Sequence, residues 1–268
     1  MRRMDYHLHT LHSFDGEQTM DALCQEMLRI GVQEICLTEH YEPGYPDPSG
    51  DVPPIWDVWF NEIAQMRRAY PALTIAAGIE IGDNPACRDM AKAYVAAQPF
   101  DFRLLSLHLV NGVDPWDAAV YYAGKTRAQA YREYAEAKAE SILAWTEFDS
   151  VAHIGYVSRY SPWDGEERPL YYRDAPDAFD AILHHIIDLD KCLEVNSSTI
   201  RSTGRTMADA TIIARYIELG GSQFTFGSDA HRVEDDYRDV EQAEALVRSL
   251  GGKWKASFAG GKKQLFEI

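Results

Sequence analysis

Histidines and carboxylates recur in this chain at the ends of short apolar runs. The first run leads into His7-Leu8-His9, with Asp15 shortly after, and the second ends in Glu39-His40. The third ends in Gly78-Ile79-Glu80, the fourth in Ser106-Leu107-His108 and the fifth in Ala152-His153. The sixth closes on Glu194-Val195-Asn196 and the seventh on Gly227-Ser228-Asp229-Ala230-His231. Imidazole and carboxylate together suit Zn²⁺, Fe²⁺ or Mn²⁺, and no cysteine stands among them to make a thiolate-rich structural site. Taken singly, each has a bland reading. His-x-His shares a strand face for packing as readily as for ligation, and a lone His108 or His153 reads as a hydrogen-bonded core histidine. A donor at every run end is a different matter. His7, His9, Asp15, His40, Glu80, His108, His153, Asp229 and His231 are too many for one ion. Two or three divalent ions are expected, with a carboxylate such as Glu80 bridging. Such a cluster brings the pKa of a bound water near neutrality and clamps phosphoryl oxygens, so hydrolysis is the chemistry it supports.

The segments that must position these groups alternate short β-rich runs with helical patterns. Strands are expected at Met4–Leu8, Glu34–Thr38, Leu73–Ile81, Phe102–Leu109, Ser150–Ile154, Cys192–Val195 and Gln223–Phe226. Helical patterns separate them, among them Thr19–Ile30 closed by Gly31, Thr126–Glu147, Asp177–Asp188 and Met207–Leu219, and Val240–Leu250 follows the last. Repeated βα units imply a parallel sheet. The expectation is an α/β fold, a seven-stranded (β/α)7 TIM-like barrel forming one domain over residues 1–268, with an open doubly wound sheet as the alternative. In such a barrel the C-terminal strand ends meet on one face, where active sites are built.

Composition narrows the partners. The 268 residues carry 26 basic and 42 acidic side chains, a formal charge of −16, which argues against a nucleic-acid backbone as partner. It does not argue against a small phosphate ester, because bound metal ions reverse the local sign. With 46% hydrophobic and 25% charged residues the chain reads as globular rather than disordered. No apolar run reaches the ~18 residues of a membrane span. The opening Met-Arg-Arg-Met-Asp-Tyr-His lacks the apolar stretch of a signal peptide. Cys24, Cys36, Cys87 and Cys192 form no Cys-x-x-Cys pair and read as reduced thiols, so a cytoplasmic address is expected. Oligomeric state is left open. His184 and His185 sit inside a helical pattern and read as structural. His12 reads equally as a ligand, a supporting donor or a substrate contact.

The set Asp5-Tyr6-His7-Leu8-His9-Thr10, Thr38-Glu39-His40, Gly78-Ile79-Glu80-Ile81-Gly82, Ser106-Leu107-His108, Ala152-His153, Glu194-Val195-Asn196 and Gly227-Ser228-Asp229-Ala230-His231 resembles the polymerase-and-histidinol-phosphatase (PHP) family, and within it the monofunctional histidinol-phosphatase branch. The resemblance implies a distorted seven-stranded β/α barrel with a trinuclear metal centre hydrolysing L-histidinol phosphate in histidine biosynthesis. By position, His7, His9, Glu80 and Asp229 would hold one ion, and Glu80 would bridge to a second held by His108 and His153. Asp15, His40 and His231 would hold the third. Glu80, Asp229 and His231 are then the catalytic expectations, and Arg159 and Arg201 match arginines that bind substrate phosphate in the family. An acidic rim, Glu42 and Asp47, is expected to meet the positive charge of the substrate. Other readings are a relative acting on another phosphate monoester or nucleotide, an amidohydrolase, and a degenerate scaffold. The chain departs from the family where relatives often read His-x-Asp-Tyr, since Gly155 precedes Tyr156, and at Ser197-Ser198-Thr199 after Asn196.

Overall fold

The computed structural model describes residues 2–268. Nine strands lie in sequence order in one sheet: β1 (Met4–Leu8), β2 (Glu34–Tyr41), β3 (Thr74–Gly82), β4 (Phe102–Ser106), β5 (Ser150–Val151), β6 (Cys192–Asn196), β7 (Gln223–Gly227), β8 (Trp254–Ala259) and β9 (Lys262–Glu267). Each of β1 to β7 runs parallel to the next, β8 continues parallel to β7, and β9 turns back antiparallel. The connections carry α1 (Met20–Arg29), α2 (Trp56–Ala69), α3 (Arg88–Ala96), α4 (Ala118–Tyr121), α5 (Arg127–Leu143), α6 (Pro176–Asp188), α7 (Ile200–Thr203), α8 (Ala210–Glu218) and α9 (Val240–Ser249).

The strand count corrects the expected seven. The two extra strands form a hairpin on Gly260-Gly261, both with positive φ (56° and 70°), the backbone that a tight hairpin turn requires. β7 pairs with β8 only through Gln223 and Phe224. Beyond that point its end turns to β1. Asp229 N donates to His7 O at 2.9 Å, His9 N to Ala230 O at 3.0 Å, and Leu8 bridges Ala230 in parallel. This seam sets the first and seventh strands side by side where the histidines lie.

Alternation along the strands decides which side chains face inward. On β3, Ile75, Ala77, Ile79 and Ile81 join the larger core under the helices, whereas Ala76 joins a second, smaller cluster with Met4, Tyr6, Cys36, Phe102, Leu104, Ala152, Cys192, Ala256 and Phe258. Glu80 shares the parity of Ala76, His40 that of Cys36, His108 that of Leu104, and Glu194 that of Cys192. The inner face is therefore apolar at one end and bears acids and imidazoles at the other. The helices close the outer layer. On α1 the buried Met20, Leu23, Cys24 and Met27 form one stripe, with Thr19 accepting from Ala22 N at 3.1 Å as the cap. α5 starts in a capping box between Thr126 and Gln129.

Behind the seam, Asp236 is buried and bonded to Gln18 Nε2 at 2.9 Å. Burial pushes its pKa up to about 8 despite that bond. Its folded pKa thus exceeds the unfolded one, so its contribution to stability is complete below about pH 4 and is lost as pH rises towards 8. Asp236→Asn keeps the bond to Gln18 and removes this slope. Thermal melts should show the variant gaining most over the parent at pH 8 and least at pH 4.5; equal differences at both would contradict the assignment.

Candidate metal centre

The side chains at the strand ends converge around Glu80. Strand register already places His40 opposite Glu80. Glu80 Oε2 lies 3.0 Å from His7 Nε2 and 3.4 Å from His9 Nε2. Its other oxygen lies 2.8 Å from His153 Nε2 and 3.3 Å from His108 Nε2. One carboxylate thus faces the His108–His153 pair with one oxygen and the His7–His9 pair with the other, and His40 Nδ1 also lies 3.3 Å from the latter oxygen. Asp229 Oδ1 closes the first group at 3.5 Å from both His7 Nε2 and His9 Nε2. Asp229 adopts φ 56°, a left-handed conformation that asparagine and aspartate tolerate best among non-glycine residues. A third group lies towards the rim, with Asp15 Oδ2 at 3.2 Å from His231 Nε2 and 3.6 Å from His40 Nε2. There His9 stacks between His40 and His231, with ring centroids at 4.3 and 4.2 Å.

Carboxylates hold the imidazoles from behind. Glu194 Oε1 meets His7 Nδ1 at 2.6 Å, and its second oxygen accepts from His153 N. Ser13 Oγ lies 3.2 Å from His9 Nδ1. Glu39 accepts from Thr10 N, Thr10 Oγ1, Ser13 Oγ and Trp59 Nε1, which fixes the loop that carries Asp15. Asp5 accepts from His7 N and Ser228 N, pinning β1 to the end of β7. None of these supporting roles was read from the sequence, although Glu39 and Glu194 stand inside the quoted motifs.

Three observations say that the donors suit divalent cations. His9 Nε2 is buried and has no hydrogen-bond partner. The Nε2 atoms of His108 and His153 face each other at 3.3 Å, a contact that needs a proton or a cation between two lone pairs. Lastly, His7-His9-Asp229, His7-Glu80-His153, His40-Glu80-His108 and His9-His40-His231 each gather donor atoms within 4.8 Å of one another. The charges tell the same story. Burial works against ionising Glu80 and Asp229, but surrounding imidazoles, and for Asp229 also Arg159, hold both well below the ordinary carboxylate range. Burial likewise opposes protonation of His7 and His108, yet nearby carboxylates keep both well above the usual imidazole value. Burial and the neighbouring His231 and His40 drive His9 down to about 3. A neutral imidazole pressed against ionised carboxylates is a metal ligand in waiting, and binding an ion there would release the protons held by its neighbours.

Above these groups opens a cavity of about 770 Å³. Phe14, Tyr45, Trp116, Tyr156, Arg159 and Tyr160 contribute its walls. Asp114 ties two of those walls together, accepting from Tyr45 OH at 2.8 Å and Tyr156 OH at 3.0 Å. Arg159 Nη1 lies 2.8 Å from Asp229 Oδ2, so its guanidinium borders the donors directly.

Arg201, expected as a second phosphate clamp, stands apart from Arg159 in this structure. It sits on the four-residue α7, exposed, and does not line the cavity. Glu42 lines the cavity but is only 4% exposed, with its carboxylate on His40 and His108. Asp47 lines the mouth. His12 pairs with Glu62 on α2 at 2.8 Å, and His185 Nε2 lies 2.9 Å from Trp145 O, so neither joins the cluster.

The departure at Gly155 has a steric cause. A Cβ there would lie 1.9 Å from Met207 O, a contact that no side chain tolerates without backbone movement. Gly155→Ala should lower stability by about 1–3 kcal/mol through overpacking, read as a drop in melting temperature; an unchanged melt would refute the contact.

Donors at successive strand ends of one α/β sheet make this a metal-binding domain. The PHP domain model matches residues 5–198, and the chain belongs to that family. It is 27% identical over 266 residues to the histidinol-phosphatase of Lactococcus lactis, covering 98% of this chain and 96% of that one. A probable histidinol-phosphatase of Clostridium acetobutylicum is 31% identical over 230 residues, 85% of this chain and 86% of the relative. The L. lactis histidinol phosphate phosphatase structure, complexed with zinc, L-histidinol and phosphate, superimposes with a TM-score of 0.89 at 25% identity, covering 98% of this chain and 99% of that one. No helix among the described residues is long and apolar enough to cross a membrane.

Proposed function

We propose that the protein is a histidinol-phosphatase, converting L-histidinol phosphate and water into L-histidinol and inorganic phosphate, as a single cytoplasmic domain whose sheet closes into a barrel at the β1–β7 seam. The observation that carries the reading is the convergence of eight further donors around Glu80 beneath a cavity bordered by Arg159. Likeness to the L. lactis enzyme across almost the whole of both chains supports the substrate. His7, His9, Glu80 and Asp229 would hold one ion, Glu80, His108 and His153 a second, and Asp15, His40 and His231 a third. Two or three ions of zinc, iron or manganese suit these donors. When bound, they supply a water of lowered pKa and polarise the phosphoryl oxygens. Arg159 offers a planar fork to the phosphoryl group, while the aromatic walls of the cavity exclude water from the organic part of the ester.

A panel of phosphate monoesters tests the substrate. Histidinol phosphate should exceed nucleoside monophosphates in kcat/KM by at least about 10²-fold, because the acids that line the cavity, Asp47 and Asp117 among them, favour an ester carrying positive charge. Equal turnover of nucleotides would replace this reading with a general phosphoesterase.

A further inference from the structure

Five of the six imidazoles around Glu80 have a partner at Nδ1, but the partners are not independent. His7 has Glu194, His9 has Ser13 and His231 has its neighbour's carbonyl, Asp229 O, at 3.0 Å. His40 and His108 share one acceptor, Glu42 Oε1, at 3.2 and 2.8 Å. With Nδ1 donating, the nitrogen left to bind an ion is Nε2. His108 Nε2 faces Glu80 and His153, whereas His40 Nε2 faces Asp15. Through Nε2, His108 thus looks to the His153 side and His40 to the Asp15 side, although His40 Nδ1 also lies 3.3 Å from Glu80 Oε2. A single carboxylate therefore sets the tautomer and the ring direction of both.

Glu42 reaches this place only because of its cross-strand neighbour. It follows β2 immediately, and β2 pairs with β3 through Tyr41 and Ile81, so the next residue on β3 is Gly82. A Cβ on Gly82 would lie 1.7 Å from Glu42 Oε2 and 2.3 Å from its carboxyl carbon. Gly82 has no positive φ, so backbone freedom does not explain the glycine. The missing side chain does.

We propose that Glu42 is a positioning residue that orients His40 and His108 together, coupling two ion positions, and that Gly82 is the space that admits its carboxylate. The inference rests on the metal-binding reading of the site, but its test reads metal retention without substrate. Metal-depleted protein is titrated with zinc against a chromophoric chelator, and stoichiometry is taken by elemental analysis. Glu42→Ala should weaken zinc retention by ~10–100-fold, the usual scale for removing a carboxylate behind a ligating histidine. Gly82→Ala should do the same while leaving every ionisable group intact. Glu42→Gln, which keeps an acceptor oxygen, should recover most of the loss. The double variant Glu42→Ala with Gly82→Ala should match Glu42→Ala alone within about twofold, because residues acting through one contact are not additive. Parental retention in Glu42→Ala overturns the proposal, as does a Glu42→Gln defect equal to that of Glu42→Ala, which would make Glu42 a ligand itself. Additive losses would overturn the role of Gly82. Should Gly82→Ala fail to fold, the contrast between the two Glu42 variants decides alone. A parent that binds no zinc would instead defeat the proposed function and this inference together.

Discussion

Glu80→Gln should strip the site of metal and reduce phosphate release from histidinol phosphate by more than about 10³-fold, given that a supporting partner alone is worth ~10–100-fold. The reason is placement. One oxygen of Glu80 faces the His7–His9 pair, with His40 Nδ1 beside it, and the other faces the His108–His153 pair. An amide fills the same volume, so the fold should persist, but it presents an N–H₂ where one of those pairs requires negative charge. No neighbour compensates. Asp229 reaches only the His7–His9 side, and Glu42 and Glu194 are engaged with Nδ1 atoms. Elemental analysis and a phosphate-release assay on the same preparation read both effects. Parental ion content in the variant would mean that Glu80 is not the bridge.

Arg159→Met should lower kcat/KM by ~10²–10³-fold, the scale of removing one preorganised donor from a developing negative charge. Arg159 is the one arginine expected to bind phosphate that borders the cavity. Its guanidinium already contacts Asp229, so it has two conceivable duties, holding that carboxylate or holding phosphate. They separate cleanly. If Arg159 clamps phosphate, the variant keeps its ions while inhibition by inorganic phosphate weakens in step with kcat/KM. If it only steadies Asp229, ions are lost and phosphate inhibition per loaded site is unchanged. Arg159→Lys should recover part of the loss, since it restores the charge but not the fork.

The donors were legible because all but Asp15 stand at the ends of apolar runs, where their joint occurrence outweighs the packing reading that each has singly. Their grouping around Glu80 followed from the parity of the inner face, which the sequence also carries: Cys36 with His40, and Ala76 with Glu80. The hold of Glu42 on two imidazoles was not legible because a carboxylate just past a strand, beside Pro43 and Gly44, looks like a loop charge until the β2–β3 register sets it against Gly82. Arg201 stands outside the cavity lining, which its sequence position did not reveal. Its spacing from Asn196 is right for the family, but the short α7 leaves it exposed. β9 escaped notice because Lys-Lys-Gln-Leu-Phe-Glu is largely exposed and has no apolar alternation, although Gly260-Gly261 before it is a hairpin signal. β5 is only two residues long, shorter than its apolar run, because the chain leaves the sheet at Ala152 to deliver His153 to Glu80.

The net charge of −16 takes on a different meaning beside this site. Asp15, Glu80 and Asp229 are not free surface charges but face imidazoles, and bound ions would make the cleft locally cationic within an acidic chain. The most direct test of that account is to remove the metal with a chelator, measure phosphate release from histidinol phosphate, and restore zinc or manganese while following ion content. The account requires activity to vanish with the ions and to return as two or three of them bind per chain. Full turnover by the metal-free protein would contradict it.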